Sequence, residues 1–265
     1  MITSLQNQRI KNIVKLRRRG YRDQQRKMLI EGYSVIQSAV QNQYPLDELY
    51  FCSLLFLGND ESSLIHRVAE TGAQVIEVAG EPFRKMACGR RLGGLLAVAP
   101  QTRHSLHGYL VSDSGCYVIA ESLESPGNLG SIVRLADGAG ADAVVVCDPR
   151  ADIFDPKAVW ASLGTFFSVP ILESSTQQAL VWCRENGIRT LAATPRGNVM
   201  YTDVDMREAV AIAVGAEHHG LSGLWMEQAD VQVRLPLFGQ VESLSVTMAA
   251  TVLLYEVARQ RLLDD

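Results

Sequence analysis

Short apolar runs rich in valine, isoleucine and alanine recur through the second half of this chain, at residues 116–120, 143–147, 169–172, 190–193 and 209–214. Stretches of helical periodicity separate most of them. A strand without a polar face needs cover on both sides, and a helix between two strands returns the chain parallel to its start. The pattern predicts an α/β fold with a mainly parallel sheet. Ligands of such sheets sit beyond the carboxyl ends of the strands, so the loops after the strands are the places to look for chemistry. A last long helix is predicted over residues 246–263, with an apolar stripe at Val246, Ala249, Ala250, Leu253, Leu254 and Val257.

The first half reads as a smaller α/β domain, with strands at residues 28–31, 48–52 and 74–78 and helices at 33–43 and 61–71. The pattern lapses into a polar linker over 100–115. Domains 1–107 and 108–265 follow, and 265 residues suffice for two modest cores. The halves differ in charge. Residues 1–107 carry 15 Lys and Arg against 9 Asp and Glu, whereas residues 108–265 carry 10 against 20. Nine of the basic residues crowd into 9–27 beside a single acid: Arg9, Lys11, Lys15, Arg17, Arg18, Arg19, Arg22, Arg26 and Lys27. Arg84, Lys85, Arg90 and Arg91 form a second group. Such a balance suits contacts to nucleic-acid phosphates, the alternative being a solvated helix face.

No apolar run reaches the roughly 18–20 residues that cross a bilayer, and the N-terminus lacks the apolar core of a leader, so a cytoplasmic protein without membrane contact is expected. Five widely spaced cysteines, Cys52, Cys88, Cys116, Cys147 and Cys183, sit mostly in apolar stretches and read as reduced packing residues. No metal is expected. Adjacent His218 and His219 do not share a face and have no ligand-spaced companions.

Three loops carry polar groups that a bare scaffold does not need. After the run at 116–120 come Pro126-Gly-Asn128-Leu-Gly130 and then Arg134. This strand–turn–helix arrangement directs free N–H groups toward an anion such as a phosphate, although a plain tight turn gives the same pattern. After 209–214 comes Gly215-Ala-Glu217-His-His-Gly220-Leu-Ser, where glycines permit a sharp turn around a carboxylate. The third loop, Leu235-Pro-Leu237-Phe-Gly239-Gln-Val-Glu242-Ser243-Leu244-Ser245-Val-Thr247, runs into the last helix, for which Ser243 or Ser245 is also a natural N-cap.

In order and spacing, N-x-G-x-x-x-R, G-x-E-x-x-G-L-S and L-P-L-x-G-x-V-E-S-L-S-V-T resemble the three motifs of the SpoU/TrmH RNA ribose methyltransferases. The likeness spans about residues 116–259 and includes Ser162-x-Gly164 in the segment 155–170. Asn7-Gln-Arg-Ile-Lys11 and Leu29-Ile-Glu31-Gly32 are similar to that family's RNA-binding extension. The resemblance implies a C-terminal trefoil knot, which general folding rules alone would argue against. It further implies S-adenosylmethionine held by three loops, Ala193-Thr194-Pro195, Gly215-Ala216-Glu217, and Leu235 to Leu244 with Leu237 and Ser243. It also implies a homodimer through the C-terminal domain, with the apolar stripe of the last helix at the interface.

The implied reaction is in-line attack of a ribose 2′-hydroxyl on a sulfonium methyl group, with ribosomal RNA favoured over transfer RNA. Arg134 is then expected to contact the RNA phosphate, since a guanidinium is a poor base by itself. Asn128 is expected to orient Arg134 and the substrate, Glu217 to fix Asn128 or the ribose, and Ser243 to bond near the reacting centre. Ser245 stands where many members carry Asn. That departure keeps open an RNA-binding protein that has lost catalysis, whereas a nucleotide-binding oxidoreductase lacks its glycine fingerprint.

Overall fold

The computed structural model describes residues 1–89 and 93–262. The chain divides into two compact units: Met1–Thr102 with Asp152–Ser168, and Arg103–Ala151 with Val169–Asp265.

In the first unit four strands, β1 (Lys27–Glu31), β2 (Glu48–Phe51), β3 (Gln74–Glu77) and β4 (Leu95–Pro100), form a sheet in the order β1-β4-β2-β3. β4 runs antiparallel to β1 and β2, and β2 and β3 run parallel. β4 is the strand that periodicity did not mark, because its apolar run abuts the proline where the linker reading begins. The amphipathic helix Gln8–Leu16 buries Ile10, Ile13 and Leu16 against Leu29, Tyr50, Phe83 and Leu96. Helices Tyr33–Gln41 and Glu61–Glu70 lie within two residues of their predicted ends.

Asp152–Ser168 belongs to this unit through specific bonds. Arg22, only 1% exposed, pairs with buried Asp152 and, at 3.3 Å, with Asp155. The Ser38 hydroxyl donates to the Gly164 carbonyl at 2.7 Å, and the ring of buried Phe154 meets Phe166 edge-on. Ser162, fully buried, accepts the N–H groups of Gly164 and Phe166 and donates to the Val159 carbonyl, which gives the Ser-x-Gly segment its turn.

The second unit holds β5 (His104–Ser105), β6 (Cys116–Glu121), β7 (Ala143–Cys147), β8 (Ile171–Ser174), β9 (Arg189–Ala193), β10 (Val199–Met200), β11 (Val210–Val214) and β12 (Val231–Arg234). They form one sheet in the order β10-β12-β9-β11-β6-β7-β8-β5, and every pairing is parallel. β6, β7 and β11 are buried along their whole length, as strands covered on both faces must be. β8 starts two residues later than the apolar run suggested, since Pro170 has no N–H to give the ladder.

The last helix, Val246–Leu262, corrects one expectation. Val246, Ala250, Leu253, Leu254 and Val257 from its predicted interface stripe are buried within the unit, where the helix packs on β11 and on helix Pro126–Gly138. The face left free carries Met248, Val252, Tyr255 and Leu262 instead. No helix among the described residues is long and apolar enough to cross a membrane.

Candidate active site

β6 and β11 are neighbours in register, Ala120 beside Val214, so the loops that follow them leave the carboxyl edge side by side. Helix Pro126–Gly138 begins immediately after the β6 loop. Proline occupies its first turn, where no N–H is required, and the Ser125 hydroxyl accepts the Asn128 N–H as N-cap. The β11 loop folds tightly: the Gly220 N–H donates to the Ala216 carbonyl at 2.8 Å, and a Cβ on Gly215 would lie 2.1 Å from the Gly220 backbone. Only glycine fits there, and the turn carries Glu217 to the start of the helix.

The Glu217 carboxylate accepts three hydrogen bonds, from the Glu124 N–H at 3.0 Å, the Ser125 N–H at 3.2 Å and the Asn128 amide at 2.7 Å. Partial burial pushes its pKa upward, but the bonds from Glu124, Asn128 and Ser125 outweigh it and hold the group below the usual carboxylate range. The anion at this helix N-terminus is therefore the protein's own Glu217. The phosphate that the strand–turn–helix pattern suggested finds those two N–H groups already taken.

Asn128 and Glu217, 89 residues apart in sequence, are thus brought together. Arg134 is not joined to them. It lies about 9 Å further along the helix axis and about 120° around it, exposed and without a hydrogen bond or ion pair among the described residues. Ser243 is also exposed and unbonded among the described residues. Ser245 is committed elsewhere: its hydroxyl accepts the Met248 N–H at 3.3 Å and its carbonyl the Ala249 N–H, so it caps the last helix.

The proposed cofactor loops leave from adjacent strands, because β12, β9 and β11 lie in that order. Thr194 turns the β9 loop, donating its N–H to the Val233 carbonyl at 3.0 Å and accepting the Gly197 N–H. Gly197 lets that loop press on β12, where a Cβ would lie 2.5 Å from the Val233 backbone. Ala193, Thr194, Gly215, Leu235, Leu237 and Leu244 are half-buried, Ala216 is buried and Pro195 is exposed. Backbone groups beside partly exposed leucines fit a flat, apolar ring with polar edges, as an adenine has.

Sequence reasoning missed Glu121 and Glu124. Glu121, 3% exposed at the end of β6, accepts the Thr176 hydroxyl at 2.6 Å and the Ser222 N–H at 2.7 Å, which ties two further loops to the same edge. A carboxylate closing an otherwise apolar strand was the available signal. Among the basic residues of the first unit, Arg22 must be withdrawn as an RNA contact: it is buried in the Asp152 pair. Arg9 pairs with Glu48, Lys27 with Asp47 and Arg19 with Asp23. Lys11, Lys15, Arg17, Arg18 and Arg26 are exposed and have no carboxylate partner among the described residues. Arg90 and Arg91 lie outside the described residues.

Residues 115–255, which hold all of these loops, match the SpoU rRNA methylase family. The chain belongs to that family. Residues 7–97 match the MRM3-like substrate binding domain. A 23S rRNA guanosine 2′-O-methyltransferase of Bacillus subtilis is 27% identical, over 97% of this chain and 98% of that protein. A 23S rRNA uridine 2′-O-methyltransferase of Streptomyces viridochromogenes is 30% identical, over 92% and 86%. The AdoMet-bound rRNA methyltransferase of Sinorhizobium meliloti superposes with a TM-score of 0.89 at 25% identity, covering 97% of each chain.

Proposed function

We propose that this protein transfers a methyl group from S-adenosylmethionine to a ribose 2′-hydroxyl of RNA, ribosomal RNA in particular. The observation that carries the reading is the Asn128–Glu217 pair. It joins the first and second family motifs at the carboxyl edge of a parallel sheet, beside loops whose backbone and leucine side chains suit the cofactor. When bound, the cofactor supplies an electrophilic sulfonium methyl group. The chain's own task is to hold the RNA hydroxyl in line with it and to manage charge. Glu217 acts as a positioning residue, because its three bonds fix the Asn128 amide. Asn128 orients the ribose. Arg134, exposed and unpaired among the described residues, contacts the adjacent phosphate and stabilises charge as the hydroxyl proton passes to solvent water. Ser243 bonds near the reacting centre.

The first unit binds the substrate, with the exposed Lys11, Lys15, Arg17, Arg18 and Arg26 meeting phosphates, and the second unit carries the methyltransferase. The trefoil knot lies in the C-terminal part of that domain. The protein is a cytoplasmic homodimer whose interface includes Met248, Val252, Tyr255 and Leu262, a helical stripe of exposed apolar side chains that the protomer leaves uncovered. The inactive RNA-binding alternative is not favoured, since the relatives that match nearly the whole chain are 23S rRNA 2′-O-methyltransferases.

The test is transfer of labelled methyl to ribosomal RNA from cells lacking the gene, followed by mapping of the ribose modified. Wild type is expected to label one site and Arg134→Ala to lose the label. Cofactor binding without transfer to any RNA would return the inactive reading, and no cofactor affinity would overturn the proposal.

A further inference from the structure

Three neighbouring strands, β11, β6 and β7, each send one charged or titratable side chain to a cluster the reaction has not used. Glu124, in the β6 loop, accepts Arg150 Nη1 from the β7 loop at 2.6 Å and lies 3.1 Å from His218 Nδ1 of the β11 loop. The backbone beneath is fixed. The Ala151 N–H donates to the Leu123 carbonyl at 2.8 Å, and both of those residues are buried, at 4% and 1% exposure. The Glu124 N–H, meanwhile, is one of the three bonds to Glu217. Glu124 through this bond, and His218 as the residue that follows Glu217, therefore connect the cluster to the candidate active site.

An exposed ion pair adds little stability, so the arrangement has no strong structural reason to exist. Its outward side offers donors. The Arg150 and His218 side chains are 57% and 76% exposed; beyond the bonds to Glu124 the remaining guanidinium N–H groups have no partner among the described residues, and neither has His218 Nε2, which donates when the ring carries both protons. Glu124 braces both side chains and so reduces the rotamer freedom they would lose on meeting an anion. An RNA strand approaching this acidic half needs cations near the target ribose. Arg134, on the helix after β6, is one such cation, and Arg150, after β7, is a second.

We propose that Arg150 and His218, braced by Glu124, form a binding site for an RNA backbone phosphate neighbouring the methylated nucleotide. The site rests on the reading of the protein as an RNA methyltransferase. Its role is positioning of substrate, and it takes no part in the proton or methyl transfer.

The experiment is filter binding of ribosomal RNA from a strain lacking the gene, at stepped potassium chloride concentrations, with methyl transfer measured in parallel. Arg150→Ala is expected to weaken RNA binding about tenfold and to flatten the dependence of log affinity on log salt by about 0.7–0.9. The loss should fall on KM for RNA, with cofactor affinity intact. Arg150→Lys should restore the salt slope, since the charge is kept, but only part of the affinity, since the fork is lost. His218→Ala should weaken binding in the same sense. An unchanged salt slope and RNA affinity in Arg150→Ala would overturn the site. So would a loss confined to kcat and cofactor affinity, which would mean the cluster only steadies Glu217. A wild-type protein that binds no RNA would instead overturn the functional reading itself, and the two failures are therefore distinguishable.

Discussion

Arg22 gives the sharpest test of how the first unit is held together. Its guanidinium is 1% exposed, bonds Asp152 through Nε and Nη2, and donates Nη1 to the carbonyls of Leu16 and Arg17 at 3.1 and 2.9 Å. Replacing it with alanine strands the Asp152 carboxylate, 8% exposed, in the interior and unbinds two carbonyls at the end of helix Gln8–Leu16. Removing one partner of a buried ion pair costs about 3–5 kcal/mol, and the two carbonyls are counted inside that range because the terms share one side chain. Unit 1 contains about 120 residues. At about 2.1 cal/mol/K per residue its unfolding entropy is about 0.25 kcal/mol/K, so Arg22→Ala should lower its Tm by about 12–20 °C if it melts alone and by about half that if the whole chain melts together. Calorimetry reads the shift directly. Arg22→Met with Asp152→Leu should recover part of the loss, because no charge is then buried, leaving about 1–3 kcal/mol for the two carbonyls and for the buried Phe154 N–H that Asp152 accepts. A single-variant loss under about 1 kcal/mol, or a double variant as unstable as the single, would refute the account.

The Glu217 bonds predict a pH dependence. Its folded-state pKa is depressed, so its contribution to stability is full above the unfolded value of about 4.3 and is lost only as pH falls through the lower folded value. Melts of wild type and Glu217→Gln should therefore differ by a constant amount from about pH 7 to 5.5 and converge in stronger acid. Burial pushes the thiols of Cys116 and Cys183 up to about 12, and likewise Cys88, where the nearby Glu31 charge adds to it. A disulfide reagent at neutral pH should find little reaction with these thiols in the native protein and rapid reaction after denaturation. Ser245→Ala should cost about 1 kcal/mol in urea titrations through the lost cap, and Ser245→Gly only a few tenths, whereas equal losses would deny the capping role.

The second sheet was legible because β7 and β11 are apolar at every position and β6 at all but its last, Glu121, and only burial on both faces explains such runs. The edge strands β5 and β10, two residues each, leave no period to detect, and β12 alternates too briefly to stand out. Asn128 and Glu217 could be picked from their loops, but their bond depends on β11 and β6 being neighbours, a fact of topology rather than of either motif. Arg22 was misread for the opposite reason. Among nine basic residues its composition is identical to its neighbours', and its fate is set by Asp152, 130 positions away.

The acidity of the second half has a similar explanation. Asp142 accepts the Cys116 N–H at 2.7 Å, Asp148 the Thr176 N–H at 2.9 Å, and Asp230 the Thr190 N–H and hydroxyl at 2.7 and 2.6 Å. Glu121 and Glu217 do the same for Ser222 and for Glu124 and Ser125. A parallel sheet must turn its chain at both edges, and the N–H groups of those turns have no ladder partner. Charged acceptors satisfy them with the strongest hydrogen bonds available. Much of the negative charge that separates the two halves is thus directed inward at loop backbone. On the proposed function, what an approaching RNA meets depends less on the net charge of this half than on which guanidinium groups face outward: Arg134, unpaired among the described residues, and Arg150, whose exposed side chain spends only one donor on Glu124.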